Sequence, residues 1–346
     1  MYKSLAIKII ISLFVVYLIG CGNKKDNNNN NNTTTDTGNT KILVPIQKDP
    51  VSGKEKVLFK YVVNKGDKFS YKMEASTSNT ENSPATNGKD VQQDNTINYF
   101  YTKEVTDVDQ NGIITFKVKF DSIAIKASMD SIVVKYNSNV NDSVKINPNF
   151  IQYNAVINEP FFMRVTAEGD ISDVYGLEKI YENIFKALGD TLKEADKNSI
   201  KESFGKDAIK EILQQELQIF PKQEVIKDSS WVKVFNTQVA VFEVVNNAKY
   251  IFKGIEDKNN QKIANIEAQL SVEFKTKEAK EKGMKMTVEK ADTDGSGKIA
   301  FNLNRGCIVS KETTTKLKIE LKLAAQGQSA KSIQGVTTNL KVTLLN

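Results

Sequence analysis

The sequence predicts an α+β chain, predominantly antiparallel β, in which two β-meander halves are joined by a helical block. Three observations carry this. Apolar and polar residues alternate with a period of two over most of residues 57–346, as in strands with one buried face. The period changes to that of an amphipathic helix at about 176–220 and then reverts. Residues around 103–120 can be laid on those around 253–270 at a constant offset. That is read either as an internal duplication or as the ordinary likeness of two long hairpins.

The elements follow in order. Val57-Leu58-Phe59-Lys60-Tyr61-Val62-Val63 reads as a strand, Asn64-Lys65-Gly66-Asp67 as a turn, and Lys68 to Met73 as the next strand. Ser76 to Asp94 is polar and contains Pro84 and Gly88, so a long loop is expected. Thr96 to Val105 and Gly112 to Ile125 form a hairpin around Asn111-Gly112, a strong turn signal. Phe161 to Thr166 and Asp170 to Val174 flank Glu168-Gly169 as a second hairpin.

In the helical block, Leu177, Tyr181, Ile184, Leu188 and Leu192 lie on one stripe. Ser199-Ile200-Lys201-Glu202 reads as a capping box that starts a further helix. Ile209, Ile212, Leu213, Leu217 and Phe220 supply its apolar face, and Pro221 ends it. β patterning resumes at Trp231. The expected strands are Val239 to Ile255, Lys262 to Phe274, Met284 to Glu289, Lys298 to Leu303, Cys307 to Leu323 and Val336 to Leu345. The candidate repeat sets Lys103 on Lys253, Val105 on Ile255, Asp107 on Asp257, Ile113 on Ile263, Phe116 on Ile266 and Phe120 on Leu270. Phe69 occupies the place of Trp231.

Before residue 57 the chain has a different character. Lys3 and Lys8 precede an apolar run from Ile9 to Ile19. A bilayer span needs about 20 apolar residues, so this run fits the core of an export signal instead. Leu18-Ile19-Gly20-Cys21 resembles the lipobox of bacterial lipoproteins, which implies cleavage after residue 20 and lipidation of Cys21. In that class the thiol takes diacylglycerol and the new amine is often acylated, as with palmitate. Each buried CH₂ contributes about 0.8 kcal/mol, so two or three chains hold firmly where one does not. Residues 21–56, with six asparagines at 27–32 and a threonine-rich stretch after them, read as a disordered polar tether. A coil of about 35 residues has a root-mean-square span of roughly 30–35 Å. The expected location is the cell envelope, with the outer membrane favoured over the inner.

Composition removes several function classes. Loss of Lys3 and Lys8 with the signal lowers the formal charge from +6 to +4, spread along the chain, so no nucleic-acid partner is indicated. The chain has no histidine, which excludes Ser-His-Asp and Cys-His nucleophile systems and histidine zinc sites. Cys307, left without an intramolecular partner once Cys21 carries lipid, reads as a turn-to-strand residue. Asp107-Val108-Asp109-Gln110-Asn111-Gly112 and Asp292-Thr293-Asp294-Gly295-Ser296-Gly297 begin like EF-hand loops. The twelfth position, a bidentate glutamate in that motif, falls on Val118 and Leu303, so turns are expected in both places. No catalytic, cofactor or metal residue is indicated.

Three stretches carry a further resemblance: Asn64 to Tyr71, Phe220-Pro221 through Asp228-Ser229-Ser230-Trp231, and Gly295-Ser296-Gly297-Lys298-Ile299-Ala300-Phe301 with Gly306. They are similar to an uncharacterised family of bacterial lipoproteins, a domain of unknown function. Its pattern has a Lys-Gly-Asp turn, a Gly-Asp-Ser-Trp turn and a glycine-rich strand; Asp228 to Trp231 departs from the second in its glycine. The resemblance implies a fold but no activity. Three roles therefore stand at this point: a non-enzymatic envelope protein that binds a protein, glycan or lipid, a carrier of apolar cargo, and a carboxylate-based hydrolase.

Overall fold

A computed structural model describes residues 42–140, 150–189, 192–239, 241–281, 283–325 and 328–346. The export signal, Cys21 and the asparagine run lie outside the described residues. In chain order come β1 (Ile46–Lys48), β2 (Glu55–Val57), β3 (Lys68–Asn82), β4 (Val91–Val108), β5 (Ile114–Met129) and β6 (Ile132–Asn137). Helix α1 (Ile151–Ala155) is followed by β7 (Phe161–Val165) and β8 (Ile171–Tyr175). The helical block holds α2 (Glu178–Leu188), α3 (Glu194–Ser203) and α4 (Lys206–Gln214). Then come β9 (Val225–Ile226), β10 (Ser230–Val239), β11 (Phe242–Lys258), β12 (Gln261–Phe274), β13 (Glu278–Glu281), β14 (Met284–Asn302), β15 (Cys307–Ala325) and β16 (Gln328–Leu344). With 60% strand and 14% helix, and the helices set between two β regions, the expected fold class holds.

One antiparallel sheet takes nearly every strand, in the order β10-β11-β12-β14-β15-β16-β3-β4-β5-β7-β8. β13 pairs beside β14 and β6 beside β5; β1, β2 and β9 form a small separate sheet. The two meander halves meet where β16 pairs with β3 from Ile333↔Asn82 to Leu344↔Tyr71. The last strand of the chain thereby joins the first long one, and the two halves share a core. Residues of odd number in β3 and β4, among them Phe69, Tyr71, Tyr99, Tyr101 and Val105, face that core. Even-numbered neighbours face outward, as the strand period requires.

The inner face is filled by the chain itself. Phe59 stacks on Phe220 at 5.0 Å and meets Phe252 and Phe301 edge-on at 5.2 and 6.1 Å. Ile180, Ile184, Ile209 and Leu213 bring the helices onto the same core. Gly306, at φ +60°, lets the β14–β15 turn touch the backbone of Val62, where a Cβ would collide. A second, smaller cluster lies where β12 and β14 part company. Their pairing stops at Leu270↔Gly295. Val239, Phe242 and Val244 on one side pack with Val288, Leu317, Ile319 and Leu321 on the other.

Several expectations need correction. Val57 to Val63 is extended but joins no ladder beyond β2; Tyr61 N–H donates to Ala167 O while its ring packs against Phe220 and Phe301. The segment is core filling, so its alternation reports burial and not sheet membership. The loop expected at 76–94 shrinks to 83–90. β3 runs through Ser-Thr-Asn residues because both β16 and β4 pair with it there. Met284 to Glu289 and Lys298 to Leu303 are the two ends of one strand, β14, which crosses Asp292 to Gly297 paired with β15 throughout. Residues 239–255 contain a turn, since β10 ends at Val239 and β11 starts at Phe242.

The capping box at Ser199 lies inside α3, and the helix breaks at Phe204-Gly205 instead. Helix α4 ends at Gln214, before Pro221 is reached. The helical stripe is rotated: Leu177, Ile180 and Ile184 are buried while Leu188 is exposed. The folded part also begins before Lys56, because β1 and β2 pair and Val44, buried, donates its N–H to Leu303 O. Residues 42–56 are therefore not tether.

The proposed repeat keeps its offset in one strand only. Tyr101↔Phe120 and Val105↔Phe116 correspond in register to Ala248↔Leu270 and Phe252↔Ile266, each followed by a bulge. The first hairpin closes between Val108 and Ile114, the second between Lys258 and Gln261, a loop three residues shorter. Lys103 thus corresponds to Tyr250 rather than Lys253. Phe69 lies opposite Lys103 as Trp231 lies opposite Tyr250, so the equivalence of Phe69 and Trp231 stands.

Candidate functional site

Among the described residues, chemistry-bearing side chains gather in two places. The first is inside. After α4 the chain continues as Gln215-Glu216-Leu217-Gln218, and each of these residues is buried against the inner face of the sheet. Lys103 takes an inward position of β4 because it shares the phase of Tyr99, Tyr101 and Val105. Its Nζ lies 2.5 Å from Glu216 Oε1, with side chains 3% and 1% exposed. Tyr101 OH donates to Glu216 Oε2 at 2.7 Å. The ammonium also sits 4.8 Å from the ring centres of Tyr71 and Phe116, within cation–π range.

The same segment is tied down by neighbours. Lys311 Nζ donates to Leu217 O at 2.9 Å, and Gln218 N–H donates to Tyr61 OH at 2.8 Å. Gln214 accepts from Ile171 N–H and donates to Gly169 O. Burial, reinforced by the charge of Glu216, pushes the Tyr101 phenol well above its usual range. Both carboxylate oxygens of Glu216 are occupied and the ion pair is shut from solvent. A general acid or base must reach a substrate proton. This cluster fastens the 214–218 segment to the sheet, and a buried charge without its partner would be strongly unfavourable. Sequence reading passed over it. The available signal was a lysine in the apolar phase of Tyr99-x-Tyr101-x-Lys103-x-Val105.

Cys307, the first residue of β15, is buried, and desolvation pushes its thiol up to about 11. A thiol that keeps its proton at neutral pH is a poor nucleophile. Of the two stretches that begin like calcium loops, the first is an Asx turn: Asp109 Oδ1 accepts from Asn111 N–H and Ile113 N–H, both at 2.9 Å. The second is strand, with Asp292 and Asp294 directly opposite Lys318 and Lys316.

Those four residues border the second place, a groove of about 370 Å³ on the outer face across β3, β14, β15 and β16. Gly335 leaves bare backbone in its floor; Ser78, Thr80 and Thr337 supply hydroxyls beside it. Asp292 is taken by Lys290 at 2.8 Å. Polar side chains continue the surface, with Thr314 Oγ1 donating to Asn339 Oδ1 and Asn339 Nδ2 to Ser76 Oγ. The groove offers hydroxyls and both signs of charge to whatever lies on the sheet, with no nucleophile–base pair.

A family model described as a family of unknown function, DUF6263, matches residues 111–308. The chain belongs to DUF6263. The match runs from the β4–β5 turn to the start of β15 and so takes in the helical block, the Glu216 segment and Trp231. No curated protein matches the chain. Among solved structures, one on lipid–protein interactions in lipovitellin is similar at a TM-score of 0.41 and 10% identity, over 82% of this chain. The chain spans about a quarter of that protein, 26%. An outer membrane channel from Pseudomonas putida F1 gives a TM-score of 0.17 at 7% identity, covering 86% of this chain and all of that one. OpdQ of Pseudomonas aeruginosa gives 0.18 at 6% identity, covering 81% of this chain and all of that one. At such scores the DUF6263 chain takes no functional argument from them.

Proposed function

We propose that this protein is a lipid-anchored protein of the bacterial cell envelope, held at Cys21, with a non-enzymatic binding or structural role exercised on the outside of its sheet. The observation that supports the role is the filled inner face. Phe59, Phe220, Phe252 and Phe301 are fully buried where a carrier of apolar cargo would need space. The buried carboxylate of Glu216 is saturated by Tyr101 and Lys103 where a hydrolase would need it free. Among the described residues the outer groove is accessible, with its hydroxyls and the lysines Lys316 and Lys318 along it. The anchoring rests on Lys3, Lys8, the apolar run and Leu18-Ile19-Gly20-Cys21.

The test begins with Cys21→Ala in cells. It should leave uncleaved precursor and abolish incorporation of labelled fatty acid; normal processing and labelling would overturn the anchor. For the role, the full-length protein is purified natively from envelopes and its bound material identified by mass spectrometry. Stoichiometric lipid would restore the carrier reading. Material lost in a Lys316→Glu/Lys318→Glu variant would place binding in the groove.

A further inference from the structure

The two ends of the large sheet are finished differently. At one end β8 is five residues long and α4 packs beside it. At the other end β10 is ten residues long and pairs with β11 along its whole length without a bulge, although bulges interrupt β11–β12, β14–β15, β4–β5 and β7–β8. It contains neither proline nor glycine. Among the described residues, no backbone group of β10 pairs on the side away from β11. On its outer face Val232 and Val234 are 54% and 58% exposed. A long, regular edge strand with exposed β-branched residues is a template for another strand.

We propose that β10 is a self-association edge: two copies of this chain pair β10 to β10 in antiparallel fashion about a two-fold axis at Val234. An isologous contact of this kind presents the same strand from both copies and uses up the β10 edge of each, so it closes at a dimer. Charge and side-chain chemistry select the register. Centring on Lys233 would set its ammonium against the partner's Lys233, a destabilising like-charge pair. Centring on Phe235 would place Val232 and Val234 against the amides of the partner's Gln238 and the partner's Asn236. Centring on Val234 sets it against the partner's Val234 and covers the most exposed valine of the strand. It also pairs Val232 with the partner's Asn236, Lys233 with the partner's Phe235, and Trp231 with the partner's Thr237. Nine residues of each copy, 230–238, then lie in the ladder. The sheet continues from one molecule into the other with its inner faces on the same side.

The register makes the test specific. In the full-length chain carrying Cys307→Ala, in detergent micelles under mild oxidation, Val234→Cys should form a disulfide-linked dimer, because directly opposed residues lie about 4.5–5.5 Å apart. Val232→Cys should not, since its two copies are offset by four residues, roughly 13 Å along the strand. Val232→Cys/Asn236→Cys should link again. The Cys307→Ala chain alone reports any background from Cys21. Val234→Lys, at an exposed position, should keep the fold by circular dichroism and turn a sedimenting dimer into monomer. Equal linking at 232 and 234, linking at 232 alone, or a wild-type chain that sediments as monomer at every concentration would overturn the proposal.

Discussion

Lys103 and Glu216, 113 residues apart in the chain, meet 2.5 Å from each other in the core and bind the segment after the helical block to the first β half. Removing one partner leaves the other charge buried and unpaired, which typically costs about 3–5 kcal/mol. Glu216→Leu and Lys103→Met should each lower stability by that order in urea unfolding. The double variant should recover part of the loss, since well-packed apolar replacements of a buried pair are often neutral. Additive losses in the double variant would show that the two charges do not depend on each other.

Stability should fall at alkaline pH. Burial raises the Cys307 thiol from 9.0 to about 11 and holds Tyr61, Tyr71 and Tyr101 well above 10.0. A group whose folded pKa is raised keeps its proton in the native state after the unfolded chain has lost it. Its contribution is complete below the unfolded value and lost as pH rises through the folded one. Melting temperature should therefore decline from about pH 9 upward, and thiol reagents at pH 8 should modify Cys307 only after unfolding. Rapid labelling of the native protein would contradict the burial of Cys307.

Trp231 should be structural. It is buried, stacked on Tyr250 at 5.4 Å and tilted against Phe59 at 6.3 Å. Truncating a buried residue of this size to alanine typically costs about 3–5 kcal/mol. Trp231→Phe should be milder, because the indole N–H has no hydrogen-bond partner among the described residues to lose. Native fluorescence should be blue-shifted and resist iodide. Emission near the water limit, with Trp231→Ala melting like wild type, would make this residue a ligand platform instead.

Calcium should leave stability unchanged. Asp109 already spends Oδ1 on two backbone N–H groups, and Asp292 and Asp294 are held in a paired strand. The melting temperature of the full-length chain in detergent should be the same in EDTA and in millimolar calcium. A rise of more than about 5 °C, on the order of 1 kcal/mol or more, would reopen the metal reading.

Local chemistry made much of this protein legible from its sequence. Asn111-Gly112 marks its hairpin because few residue pairs accept that turn, and the period change at 176–220 marks the helices because 3.6 and 2 are different spacings. The family resemblance and the β-rich class came from the same kind of signal. Tertiary pairing decided the rest. Ser76 to Asn82 is strand because β4 and β16 flank it, and Asp292 to Gly297 is strand because β15 does; neither partner is near in sequence. Leu58 to Val63 alternates like a strand, yet its neighbours are rings and not a ladder. The pairing of Lys103 with Glu216 could not be read from the chain at all. A lone charge in an apolar phase announces that a partner must exist, but only the folded path of the chain, which must bring an opposite charge to within hydrogen-bonding distance, decides which residue it is.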